Sequence, residues 1–129
     1  MVTVGQSFRM AWLYLVVAGL LEIGWAVGLK YTEGFSRWWP SVGTVAAMVG
    51  SFVLLAQALK TIPVGTGYAV WTGIGAAGTA AIGMLWLGES RSALRVFFLA
   101  MIVGGVLGLK LAAAPPSATA APANPSQGM

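Results

Sequence analysis

The chain has 129 residues, 58% hydrophobic and 8% charged, with seven basic and three acidic side chains and a net charge of +4. A soluble domain of this size usually carries about a quarter of its residues charged, so most of this surface must meet lipid instead of water. The absence of cysteine and histidine excludes thiol chemistry, disulfides, histidine acid–base work and histidine or cysteine zinc sites, and the scattered basic residues form no stripe for nucleic acid.

In chain order, residues 1–9 are polar and read as an N-terminal extension, with Met10 an alternative start. Met10 to Leu29 is apolar apart from Glu22, and Lys30 closes it. Glu22 and the apolar continuation to Leu29 argue against a cleaved signal peptide. Ser41 to Leu59 is uncharged, between Pro40 and Lys60. Thr61 to Gly88 is also uncharged and spans once its ends are trimmed. Val96 to Leu109 is the shortest apolar stretch. A span needs roughly 17–25 residues, so it crosses only if Arg95 and Lys110 snorkel and Leu111 to Ala114 add a turn. Residues 112–129, rich in Ala, Pro and Ser, read as a disordered tail. The expected fold is all-α, a four-helix transmembrane domain over residues 10–111. Trp12, Trp38, Trp39 and Trp86 fall near span ends, where an indole favours the headgroup layer.

Orientation carries little bias. Four spans put Arg9, Lys60 and Lys110 on one side and Lys30, Arg37, Arg91 and Arg95 on the other. Three against four gives the positive-inside rule almost nothing to act on, and we read this as a chain that inserts both ways.

Glu22 is the residue that needs explaining. A charge at mid-bilayer costs about 2.5–3.5 kcal/mol on insertion scales. It is tolerated when it faces protein or water, holds a proton, or meets a cation. Lys30, eight residues on and roughly 12 Å along the axis, is off the same face. Gly19, Glu22 and Trp25 stack at steps of three, giving the carboxyl room on one side and an aromatic wall with an N–H donor on the other. Ser51 is central in the second span, and its hydroxyl either orients the carboxylate or bonds back to its own helix. Tyr68 and Trp71, three apart in the third span, add an aromatic pair beside the acid.

Gly73-Ile74-Gly75-Ala76-Ala77-Gly78 matches the dinucleotide fingerprint literally but lacks its preceding strand, exposed helix start and downstream acid. Two readings remain for these glycines: close helix packing or a bend between two states. Gly24/Gly28 and Gly104/Gly108 form G-x-x-x-G pairs, which support helix contact without naming the partner. No nucleophile–base pair, metal cluster or phosphate loop points to an enzyme, and no cofactor is expected.

Four short helices enclose little space, and one carboxylate is thin equipment for exchanging a cation against protons. Transporters often place a midplane site between two inverted halves. A chain without orientation bias supplies both halves by pairing with an oppositely oriented copy, bringing two Glu22 carboxyls together so that protons and cation compete for them.

Three stretches carry a resemblance. They are Gly19-Leu20-Leu21-Glu22-Ile23-Gly24-Trp25-Ala26-Val27-Gly28-Leu29-Lys30, then Gly34-Phe35-Ser36-Arg37, then Ile62-Pro63-Val64-Gly65-Thr66-Gly67-Tyr68-Ala69-Val70-Trp71-Thr72-Gly73-Ile74-Gly75. From Met10 to about Leu111 the chain resembles the small multidrug resistance transporters, and the run Trp25 to Lys30 is similar to their SugE/Gdx-type, guanidinium-exporting subtype. The resemblance implies a multi-pass protein of the bacterial cytoplasmic membrane, an antiparallel, dual-topology homodimer that exchanges protons for guanidinium and small guanidinyl cations. Glu22 is then the shared substrate and proton site, and Gly19, Trp25, Ser51, Tyr68 and Trp71 line it. Gly73 and Gly75 fall on the bending region of the third helix, and Gly104 and Gly108 on the dimer contact. Phe98 departs from the pattern, standing where multidrug relatives carry glycine. Two alternatives are an exporter of quaternary ammonium cations and a half-transporter needing a different partner chain. A planar guanidinium presents N–H donors to a carboxylate in a fork and flat faces to aromatic rings, which favours it over a quaternary ammonium beside Trp25.

Overall fold

The computed structural model describes residues 4–113. Four helices follow one another: α1 (Val4–Tyr31), α2 (Trp38–Ala58), α3 (Val64–Trp86) and α4 (Ala93–Ala112). Each has the length and hydropathy to cross a bilayer. The helices overrun the apolar stretches at several ends. α1 starts six residues before Met10, α2 takes in Trp38, Trp39 and Pro40, and α4 gains Ala93 to Arg95 as well as residues to Ala112. The fourth span therefore reaches 20 residues with both cations in its end turns. Expectations for residues 1–3 and 114–129 fall outside the described residues.

Local chemistry ends each helix. Beyond α1, Thr32 is buried, donates from Oγ1 to the Leu29 carbonyl at 2.7 Å and accepts the Phe35 amide at 3.2 Å. The chain then passes through three consecutive left-handed residues, Glu33, Gly34 and Phe35, with φ of 48°, 72° and 65°. α3 closes on Gly88, whose φ of 74° is the conformation glycine supplies at a helix C-terminus. The Gly83 carbonyl accepts both the Leu87 and Glu89 amides, and Arg91 Nε donates to the Met84 carbonyl at 2.8 Å. Ser92 caps α4, its Oγ accepting the Arg95 amide at 3.3 Å, an arrangement that satisfies one of the orphan N–H groups of the first turn.

α1 is the centre of the bundle, packed against α2 and α3, while α4 lies along α3. The tight core gathers in the N-terminal half of α1, where Leu15 and Ala18 meet Leu55, Ala58, Ile62 and Val70. Trp12 belongs to this core. It is 6% exposed, edge-on to Phe8 and beneath Lys110 Nζ at 5.8 Å. Trp12 is therefore a packing residue and not the headgroup anchor its place in the apolar run suggested. The cause is the upstream extension of α1, which puts two further turns before it. Trp38, Trp39 and Trp86 are more than 70% exposed, as residues at a membrane–water boundary are.

The α1–α3 seam is built from side chains seated on glycines. A Cβ on Gly19 would lie 2.7 Å from Ile74 Cγ2, one on Gly75 would overlap the Glu22 carboxyl, and one on Gly78 would overlap Ile23. The order of these pairs shows that α1 and α3 run in the same direction. On the other face of α3, a Cβ on Gly73 would overlap Val106 of α4. Close approach thus accounts for the glycine-rich run of α3, in line with the packing reading. Gly24, Gly104 and Gly108 meet nothing within 4 Å. Substituting Gly78→Val forces Ile23 aside and is expected to destabilise the protein by about 1–3 kcal/mol. Gly24→Ala meets open space and gains helix propensity of up to ~1 kcal/mol. Thermal unfolding midpoints of the two detergent-solubilised variants should move in opposite directions.

Candidate functional site

Glu22 sits past the tight core, about two-thirds of the way along α1 (Val4–Tyr31). Its side chain is directed at α3, where the missing side chain of Gly75 makes the room it occupies. Carboxyl Oε2 is buried and has no hydrogen-bond partner among the described residues. No cation among the described residues pairs with it either. Lys30 is exposed, and the ion pair that the described residues form joins Arg95 to Glu89 at 3.3 Å on the surface.

Just before this carboxyl lies a completed hydrogen-bond relay. Ser51 is fully buried; its Oγ donates to the Ala18 carbonyl at 2.7 Å and accepts Trp71 Nε1–H at 2.9 Å. Neither expected use of this hydroxyl is seen, since it bonds neither to the Glu22 carboxyl nor to its own helix. It ties α2 to α1 across the seam and holds the Trp71 indole in place. The Ala18 carbonyl is one turn before Glu22, the position that accepts the Glu22 amide in an α-helix, so the relay braces the backbone that presents the acid.

The aromatic residues form a connected run. Ring centroids lie 5.5 Å apart for Tyr68 and Trp71, 5.7 Å for Trp71 and Phe52, and 6.3 Å for Phe52 and Trp25. Trp71 is buried, whereas Tyr68 and Phe52 are about half exposed, so the run leads from the interior to an open face of the bundle. Phe52 is a member that hydrogen-bonding criteria alone pass over. Its signal is adjacency to Ser51 on a helix that also faces Trp25 and Trp71. Trp25 Nε1 is buried without an acceptor, and so is Thr79 Oγ1 on α3, a second residue that sequence reading passed over. Thr79 stands four residues after Gly75, a spacing that places it on the same face.

The structure therefore gathers Gly19, Glu22, Trp25, Ser51, Trp71 and Gly75 along the seam of α1 with its neighbours, with Tyr68 reached through Trp71. Gly73 turns instead to α4, and Gly104 and Gly108 stand apart on an open stretch of α4. This is a polytopic membrane bundle with one intramembrane carboxyl that has no partner among the described residues, a kind of group that is costly in a bilayer.

The model of the Small Multidrug Resistance protein family matches residues 10–102. The chain is 61% identical over 104 residues to the guanidinium exporter of Salmonella typhimurium, covering 81% of this chain and 99% of that protein. It is 63% identical over 102 residues to the guanidinium exporter of Escherichia coli (strain K12), covering 79% and 97%, and 59% identical over 103 residues to that of Yersinia pestis, covering 80% and 99%. The chain belongs to the small multidrug resistance family, as a multi-pass protein of the inner membrane.

Removing the Ser51 hydroxyl leaves the Trp71 N–H buried without an acceptor, so Ser51→Ala is expected to cost about 1–3 kcal/mol. The partner substitution Trp71→Phe removes the donor. A thermal-denaturation double-mutant cycle should give a combined loss smaller than the sum of the two single losses; strict additivity would mean the bond contributes nothing.

Proposed function

We propose that this protein is a proton-coupled antiporter that exports guanidinium and small guanidinyl cations, working as an antiparallel homodimer. The observation that carries this reading is the Glu22 carboxyl, buried against Gly75 with an oxygen that no group among the described residues satisfies. A carboxyl so placed takes either a proton or a cation. Exchange then follows from competition, because binding one expels the other. Two copies of Glu22 facing each other in a dimer strengthen that competition, since two carboxylates at close range resist joint ionisation.

The cation chosen follows from the lining. A guanidinium fork donates two N–H bonds to a carboxylate, and the run Trp25–Phe52–Trp71–Tyr68 offers ring faces for its flat surfaces. Ser51 keeps the Trp71 indole fixed, Gly75 leaves the room the acid occupies, and Gly19 seats the Ile74 side chain beside it. The guanidinium exporters named above share about three-fifths of their residues with this chain, which supports the same choice. In the dimer, the exposed α4 with Gly104 and Gly108 supplies contact between copies. Flexing of α3 about Gly73 and Gly75 lets the site face each side in turn.

The test is proton release from purified protein on addition of guanidinium. Wild type should release protons and Glu22→Gln should release none; release by the variant would remove the acid from the mechanism. Crosslinking of oppositely tagged copies should recover inverted pairs, and recovery of same-orientation pairs or monomers alone would exclude the antiparallel assembly.

A further inference from the structure

The polar atoms around Glu22 are not treated alike. On the side of α1's N-terminus two are used within the chain: Trp71 Nε1–H donates to Ser51, and Ser51 donates to the Ala18 carbonyl. Within about one turn on the side of α1's C-terminus, two buried polar atoms have no partner among the described residues: Trp25 Nε1 on α1 and Thr79 Oγ1 on α3. Their positions agree in depth. Trp25 lies three residues beyond Glu22 and Thr79 four residues beyond Gly75, where the carboxyl rests. α1 and α3 run parallel, so both stand about 4.5–6 Å further along the same direction.

Packing changes at the same level. Before Glu22, α1 buries Ala11, Trp12, Leu15, Ala18 and Gly19; from Leu21 to Tyr31 no residue of α1 is fully buried. Helix Thr side chains commonly bond back to the carbonyl one turn earlier, and Thr79 does not. A buried hydroxyl left alone costs about 1–3 kcal/mol, an expense a protein bears where a ligand or water completes the bond.

The geometry points to Thr79 as a ligand-binding residue of the Glu22 site, its hydroxyl accepting an N–H of a guanidinium held by Glu22 that approaches from the α1 C-terminal side. This deepens the guanidinium reading above and rests on it. The carboxylate takes the fork of the cation, and Thr79 takes an N–H that points away from the acid. Trp25 Nε1–H, a donor, cannot bond the cation; it is left to the carboxyl or to water, which divides the two groups by chemistry. A quaternary ammonium, having no N–H, gains nothing from Thr79.

Guanidinium-driven proton release in proteoliposomes, with wild type, Thr79→Val, Thr79→Ser and Thr79→Ala, tests this. The Ser and Ala variants differ by one oxygen atom. Loss of the hydroxyl, in Val or Ala, should raise the half-saturating guanidinium concentration about tenfold and leave the maximal rate within about twofold. Thr79→Ser should stay within about twofold of wild type in both. Thr79→Val should also unfold at a temperature no lower than wild type without substrate, since it buries no orphan hydroxyl, a result that a merely structural role would reverse. Wild-type half-saturation in both Thr79→Val and Thr79→Ala overturns the assignment while leaving the guanidinium reading in place, as does equal impairment of Thr79→Ser and Thr79→Ala. A wild type that releases no protons to guanidinium overturns that reading and this assignment together.

Discussion

A carboxyl pressed against a glycine inside a membrane is the constraint around which this protein is arranged. Gly75 gives up its side chain so that Glu22 fits between α1 and α3, and among the described residues no basic group pairs with it. In lipid such a group carries a free-energy cost of a few kcal/mol, which the rest of the fold must offset. It does so with close packing below the acid and with a hydrogen-bond relay that locks Trp71 and Ser51 to the carbonyl one turn before it. The backbone that carries the acid is braced, while its carboxyl Oε2 has no hydrogen-bond partner among the described residues.

The same constraint explains the small residues of α3. Gly73, Gly75 and Gly78 each receive a side chain from a neighbour: Val106, Glu22 and Ile23 in turn. A motif that elsewhere wraps a phosphate here brings three helices together, because within a span a glycine's value lies in the volume it leaves free. α4 is the reverse case. It lies along α3 with no buried residue of its own, exposing most of an apolar helix to lipid or to another copy of the chain.

Composition and hydropathy suffice for the architecture. With so few charges and four apolar runs, backbone groups in lipid have no partner but their own helix, so four α-helices follow at nearly the right places. The ends are less legible, because helices continue past the apolar runs wherever a cap or a turn of polar residues allows. That is why Arg95 became part of α4, and why Trp12 proved to be core. The acid was legible for the same reason as the helices: a lone carboxylate in an apolar run admits few explanations.

Partnerships between helices were decided by tertiary structure alone. Residue spacing places Gly19, Glu22 and Trp25 on one face of α1, but it cannot say that the Ser51 hydroxyl would turn to the Ala18 carbonyl, or that Phe52 would bridge two tryptophans. Nor can it say which hydroxyls are left over. Periodicity ranks residues within a helix by direction, whereas hydrogen-bond satisfaction depends on the rotation and depth at which separate helices meet. The sequence by itself determined that a carboxyl would lie in the bilayer within a four-helix chain. Only the packed bundle determined which polar groups near that carboxyl are paired and which, among the described residues, are not.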